Sequence, residues 1–219
     1  MGTIVGIFAH PDDESFGPGG TLAKLAKTND VYIICVTGGG AGQNARTKTT
    51  RKLSEIRKEE YRNAAKILGV KKSHCLEYED GTLSNSLYHE IAHKIESIVK
   101  KLKPEILLTF EPKGVSGHID HITVSMITTY VFRNNPQIKK LMYYCILNTR
   151  REKYLDDYFI YFPEGYKTDE IDLEVDTAKT FKTKIQAISA HKSQKEDADR
   201  IIKSLLTMPP REYFLVRHQ

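Results

Sequence analysis

Short apolar, β-branched runs alternate with segments of helical periodicity along the first two-thirds of this chain. That alternation restricts the fold more than any other feature. Thr3–Ala9 (TIVGIFA), Val31–Thr37 (VYIICVT), Glu105–Phe110 (EILLTF) and Leu141–Leu147 (LMYYCIL) are almost continuously apolar, as strands buried on both faces are. His74–Tyr78 is a shorter strand candidate. Between them Gly20–Lys27, Thr50–Leu68, Ser86–Leu102 and a segment from His118 or Ile119 to about Phe132 carry apolar residues at helical spacing. Thr50–Leu68 puts Leu53, Ile56, Tyr61, Ala64 and Leu68 on one stripe and stops at Gly69; Pro104 ends the next helix. Strands alternating with helices predict an α/β fold, a doubly wound and mostly parallel sheet with helices on both faces. After about residue 150 the pattern loosens into a smaller irregular α+β portion. It holds a strand at Tyr158–Phe162, helices near Ala178–Ala190 and Glu196–Leu206, and a strand near Phe214–Val216. The 219 residues read as a single domain, 1–219, with a core of about 1–150 and a portion of about 151–219 completing the pocket.

Composition narrows the class of function. A chain 40% hydrophobic and 28% charged is globular rather than disordered. No run reaches the ~18 apolar residues of a membrane span, and Met1–His10 lacks the basic region and long apolar core of a signal peptide. The expectation is a soluble, cytoplasmic protein with no membrane partner. Cys35, Cys75 and Cys145 form no CxxC pair and read as small buried hydrophobes in a reducing compartment. A net charge of +5 is spread along the chain without a basic cluster or a binding motif, so no nucleic-acid partner is expected.

In a doubly wound sheet the first and fourth strands lie side by side at the topological switch point, where ligands bind beyond the strands' carboxyl ends. The loops leaving those two strands carry the chemistry. The first reads His10-Pro11-Asp12-Asp13-Glu14 and the second Gly117-His118-Ile119-Asp120-His121. Three imidazoles and four carboxylates then converge on one cleft, and a divalent cation would relieve the repulsion among the carboxylates. A catalytic zinc site commonly takes two His and one carboxylate and keeps one position open. His10 and Asp13 can chelate from one side and His121 from the other. Asp12 is then a candidate general base, and His118 an acid or oxyanion stabiliser with Asp120 as its orienting partner. Spacing alone leaves open which of Asp12 and Asp13 is the ligand.

AHPDDE after the first strand and GHIDH after the fourth resemble the LmbE-like/PIG-L family of zinc-dependent N-acetylglucosaminyl de-N-acetylases. The similarity extends to Arg57 and Glu60 ahead of AAKILGV, to the Asp80-Gly81-x-Leu83 turn and to His191-Lys192-Ser193-Gln194. The resemblance implies a Rossmann-like fold and a metal-dependent N-deacetylase. Its zinc, for which Fe2+ or another divalent ion can substitute, is held by His10, Asp13 and His121. Asp12 is the base, His118 the acid or oxyanion partner, and Asp120 holds His118. The implied partner is a small-molecule amino-sugar substrate, such as a glycoside of N-acetylglucosamine with malate or inositol, a free sugar or a chitooligosaccharide. A related thiol-conjugate amide is an alternative, and small bacterial members often form homo-oligomers. Two family features are altered here: Gly38-Gly39-Gly40-Ala41-Gly42 replaces Arg-Gly-Glu-Ala-Gly, and Ser116 replaces a Tyr.

Weaker candidates have local explanations. Arg57 either contacts substrate or pairs with Glu60 at i,i+3. Asp80 binds sugar hydroxyls or makes an Asx turn with Gly81. His191 and Gln194 read as capping residues between two late helices. The rival function is nucleotide binding by a Rossmann-type protein through GGGAG. Neither GxGxxG nor GxxxxGK[ST] fits Gly38–Thr49, because Gln43 stands where the third glycine belongs.

Overall fold

The apolar runs become strands of one sheet in the computed structural model, which describes residues 1–42, 50–151 and 162–219. The strands are β1 (Thr3–Phe8), β2 (Asp30–Thr37), β3 (Lys72–Tyr78), β4 (Ile106–Phe110), β5 (Lys140–Cys145), β6 (Leu173–Asp176) and β7 (Arg211–His218). They lie in the order β3-β2-β1-β4-β5-β7-β6. The first five are mutually parallel, and β7 and β6 add an antiparallel edge. β1 is central: Val5 sits opposite Tyr32 on one side and Leu107 on the other. Val5, Ile7 and Phe8 are fully buried, each contributing roughly 1.5–3 kcal/mol of apolar burial.

The helices are α1 (Asp13–Phe16), α2 (Gly19–Leu25), α3 (Leu53–Ile67), α4 (Tyr88–Leu102), the single turn α5 (Gly114–Gly117), α6 (Ile119–Arg133), α7 (Asn148–Arg151), α8 (Phe181–Ala190) and α9 (Lys195–Leu205). Parallel neighbours need crossover connections, and the helices between the first five strands supply them. α2 and α3 pack with α8, and α4 packs with α6.

The structure adjusts several expected boundaries. β3 begins at Lys72, β5 ends at Cys145, and the last strand runs from Arg211 to His218. β6 was not expected. It is a four-residue edge strand whose Glu174 and Asp176 face solvent, so its sequence reads as a polar loop. The strand expected at Tyr158–Phe162 lies, but for Phe162, outside the described residues.

The C-terminal elements are pinned beneath the first loop. Lys184 of α8 donates to Glu212 Oε1 of β7 at 2.7 Å and to the Gly17 carbonyl at 2.5 Å. Glu212 also accepts the Gly20 and Thr21 amides at 2.9 and 2.7 Å, at the electropositive start of α2. Lys184 and Glu212 are both buried.

Candidate metal and acid–base site

β1 and β4 are neighbours, so the loops that leave them meet at the switch point. Asp13 opens α1, and His118 caps α6 by accepting the Asp120 amide on Nδ1 at 3.1 Å. Asp12 (φ 147°) and Val115 (φ 62°) occupy backbone regions that strain a side chain, at roughly 1–3 kcal/mol each. Such strain persists only where surrounding bonds impose it, and here both residues flank the cluster.

Three side chains converge, two imidazole nitrogens and the two oxygens of one carboxylate. His10 Nδ1 lies 3.1 Å from His121 Nε2, Asp13 Oδ2 lies 3.6 Å from His10 Nδ1, and Asp13 Oδ1 lies 3.3 Å from His121 Nε2. A tetrahedral ion with bonds of about 2.0–2.1 Å spaces its ligands roughly 3.3–3.4 Å apart. The backs of both rings are occupied. His121 Nδ1 lies 3.0 Å from the Gly114 carbonyl, and His10 Nε2 lies 3.0 Å from Asp80 Oδ1 and 3.2 Å from Asp120 Oδ2. Acceptors behind each ring place the N–H there and turn the lone pairs of His10 Nδ1 and His121 Nε2 toward each other. Only a proton or a cation between them satisfies both. Burial pulls His10 down, but hydrogen bonds to Asp120, Asp13 and Asp80 outweigh it, and its pKa ends well above the usual range. Positive charge is therefore favoured at this position. Burial raises Asp13, but His121 and His10 outweigh it and leave the carboxyl well below its usual range. The donor set fits a divalent cation.

Around this centre the structure redirects several side chains. Asp120 was expected to orient His118, but its carboxylate turns the other way. It accepts the Gly81 and Leu83 amides at 2.8 and 3.1 Å and backs His10. A carboxylate bonded to two amides of another loop is not free to follow the neighbouring imidazole. Burial, then the nearby His10 and His121, hold His118 below the usual imidazole range. With Nδ1 accepting the Asp120 amide, a neutral His118 carries its proton on Nε2. Asp80 also faces inward, with Oδ2 accepting the Ala41 amide at 3.0 Å; its carboxyl is lowered to about 2, burial opposing and His10 driving the shift.

Arg57 is a clamp on the first loop. Nη2 donates to Asp12 Oδ2 at 2.7 Å and to the Pro11 carbonyl at 2.9 Å, and Nη1 donates to the Gly39 carbonyl at 3.0 Å. Glu60, one of the two alternatives for its partner, instead accepts the Ser193 amide and hydroxyl at 3.0 and 2.6 Å. Burial pushes Asp12 up to about 6 against the pull of Arg57. The glycine loop serves this clamp. Gly39 has φ +66°, and a Cβ there would lie 2.7 Å from Pro11 Cδ and 2.8 Å from Arg57 Cζ.

The roles of two residues escaped the sequence reading. Glu14 is fully buried; Oε2 accepts the Asp12 amide at 3.1 Å and Oε1 accepts Ser15 Oγ at 2.6 Å. His191, read as a cap, lies 2.9 Å from Glu14 Oε1. Beside Asp12, Asp13 and His121 opens a cavity of about 300 Å³, walled by Phe16, Phe110, Val115, Tyr144, Ile146 and Phe162. Ile201 and Leu205 of α9 reach its rim.

A mostly parallel sheet with His10, Asp13 and His121 gathered at its switch point defines a class of α/β proteins that carry their ligand site beyond the carboxyl ends of the strands. The chain belongs to the PIG-L family (GlcNAc-PI de-N-acetylase), whose pattern matches residues 5–132, more than half of the sequence. A Bacillus cereus protein named "Probable N-acetyl-alpha-D-glucosaminyl L-malate deacetylase 2" is 28% identical over 199 residues, 88% of this chain and 84% of the relative. The N,N'-diacetylchitobiose deacetylase from Pyrococcus horikoshii superposes with a TM-score of 0.72 at 24% identity, over 99% of this chain and 84% of its own. The 4-carboxy-2-hydroxymuconate hydratase from Pseudomonas putida superposes as well, with a TM-score of 0.73 at 14% identity over 100% of this chain and 97% of its own. The fold alone therefore does not set the reaction. Among the described residues no helix is long and apolar enough to cross a membrane.

Proposed function

We propose that this protein hydrolyses the N-acetyl group from a small N-acetylglucosamine-containing molecule, releasing acetate and a free amine. The observation that carries this reading is the convergence of His10 Nδ1, Asp13 and His121 Nε2 beside a clamped, buried Asp12. Relatives named as deacetylases of N-acetylglucosaminyl malate and of diacetylchitobiose support the substrate class.

His10, Asp13 and His121 would hold Zn2+, with Fe2+ an alternative. When bound, the ion supplies a Lewis acid for the acetyl carbonyl and makes the attacking water more acidic. Asp12 takes the proton from that water. Arg57 occupies Oδ2, so Oδ1 is the oxygen that receives it. A carboxyl raised toward about 6 is a stronger base than an exposed one and stays ionised near neutrality. The Nε2–H of His118 donates to the oxyanion that develops as the carbonyl is attacked. Asp12 then returns its proton to the departing nitrogen. The 300 Å³ cavity holds the group next to the reacting amide and excludes water from it.

The test is acetate release by the metal-loaded protein from N-acetylglucosaminyl malate, the inositol glycoside and diacetylchitobiose. Turnover that disappears with chelation and returns with Zn2+ supports the reading. Full metal occupancy with no acetate from any of the three refutes it.

A further inference from the structure

Two cysteines that stand 40 positions apart in the sequence meet in the sheet. Cys35 of β2 and Cys75 of β3 are register partners on adjacent parallel strands. Registered residues of parallel neighbours point to the same face, with Cα atoms about 4.8 Å apart. A disulfide requires roughly 4.4–6.8 Å. The register shifts immediately after this pair, between Cys35 and Thr37. Both sulfurs converge on one acceptor: Cys35 Sγ is 3.3 Å and Cys75 Sγ 3.4 Å from the Thr37 carbonyl.

Their surroundings differ in the way a reactive and a resolving thiol differ. Cys35 is fully buried. Cys75 is half-buried and lines a second cavity, of about 430 Å³, between β3 and the start of α3. The neighbouring Cys35 thiol lowers the Cys75 thiol; partial burial opposes the shift, and Lys58 and Arg62 of α3 add to it. Burial raises Cys35 well above the usual range. A half-exposed thiol lowered from its ordinary range beside a second, buried thiol is the arrangement in which oxidation ends as a disulfide.

We propose that Cys35 and Cys75 form a reversible thiol-oxidation site, with Cys75 the thiol that reacts with a peroxide and Cys35 the one that resolves it. The Cys75 thiolate attacks one oxygen of hydrogen peroxide; the O–O bond breaks, hydroxide leaves and takes up the thiol's proton, and a sulfenic acid remains. Cys35 then attacks the Cys75 sulfur and expels water. Two thiols lose two hydrogens and two electrons, and one peroxide becomes two waters. A thiol such as glutathione reverses the step by exchange. The Thr37 carbonyl loses both S–H donors on oxidation, two residues before the Gly39 carbonyl that holds Arg57. The site is independent of the hydrolase reading.

The experiment treats the full chain with hydrogen peroxide, blocks remaining thiols by alkylation and maps peptides without reduction. The expected result is a Cys35–Cys75 linked peptide, a loss of two hydrogen masses from the intact chain, and reversal by dithiothreitol. Cys145 is an internal reference: it is fully buried, burial raises its thiol to about 12, and it should stay reduced. In Cys35→Ser the Cys75 sulfenic acid should persist and be captured by dimedone. In Cys75→Ser both remaining cysteines should stay reduced. Should Cys35→Ser fail to fold, the wild-type map and the half-exposed Cys75→Ser variant still decide the matter. A link through Cys145, Cys75 driven to sulfonic acid while Cys35 remains alkylatable, or a Cys75 that resists peroxide, each overturns the proposal.

Discussion

Arg57 Nη2 sits 2.7 Å from Asp12 Oδ2 while the same guanidinium holds the carbonyls of Pro11 and Gly39, so one buried fork sets both the carboxylate and the strained backbone that carries it. Arg57→Lys keeps the charge but loses the planar fork. Its kcat should fall on the order of 10²-fold, the low end for a misplaced general base, with KM and bound metal little changed. Arg57→Ala leaves a buried carboxylate uncompensated and should also lose about 3–5 kcal/mol of stability. Steady-state kinetics, metal analysis and urea unfolding of both variants check this. An unchanged kcat in Arg57→Lys would mean that Asp12 does not depend on the fork.

The same geometry separates ligands from supports. His10→Ala, Asp13→Ala and His121→Ala should each lose the metal, whereas Asp12→Asn should keep it and lose roughly 10²–10⁴ in kcat. Asp120→Asn is the discriminating variant. Its carboxylate backs His10, so it should weaken metal affinity by about 10–100-fold, as loss of a carboxylate behind a ligating imidazole does. Competition with a chelator measures it. A wild-type affinity in Asp120→Asn with altered activity would return Asp120 to the partnership with His118 that the sequence suggests.

Much of this arrangement is legible in the sequence, and what is not has a common physical origin. β1, β2, β4 and β5 are readable because a strand buried on both faces is one apolar run, and the strand order then brings the HPDDE and GHIDH loops together. Side-chain direction is not readable in this way. Asp120 lies two residues from His118, but its carboxylate bonds amides 37 and 39 positions away. Local spacing offers Arg57 a pairing with Glu60 as one alternative, yet Asp12 and Ser193, which they bond, lie 45 and 133 positions away. A signal was available: both charges fall on the apolar stripe with Ile56, Tyr61 and Ala64, where a solvated ion pair does not belong. Cys35 and Cys75 meet only through strand register. β6 alternates half-buried and exposed residues over four positions, too short to reveal a period.

Gly39 tests the role of the glycine loop. Gly39→Ala would bring a methyl group 2.7–2.8 Å from Pro11 and Arg57 at φ +66°. It should displace the guanidinium and lower kcat along with stability. Gly69→Ala is the matched reference, with φ +77° and only Ala26 Cβ, at 3.3 Å, close to the added methyl. It should cost about 1 kcal/mol, chiefly from backbone strain. Equal losses of stability and activity in the two variants would remove the loop's claim to position Arg57.

His191 makes stability depend on pH in a predictable sense. Burial pulls its imidazole down, but the Glu14 carboxylate 2.9 Å away outweighs it, and the folded-state pKa lies above the ordinary value. A group raised in this way binds its proton more tightly in the folded chain than in the unfolded one. Its contribution is complete below the unfolded pKa of about 6.5 and fades as pH rises through the higher folded value. His191→Gln cannot titrate, so the stability gap between wild type and variant should be widest near about pH 5.5 and should narrow as pH climbs past the folded pKa. Urea midpoints of the two proteins across that range measure the gap. Because Glu14 also accepts the Asp12 amide, the variant should show reduced kcat with nearly unchanged KM at the pH where its stability matches wild type. A gap that widens toward alkaline pH would mean that His191 is neutral in the folded protein and that Glu14 holds the Asp12 backbone without it.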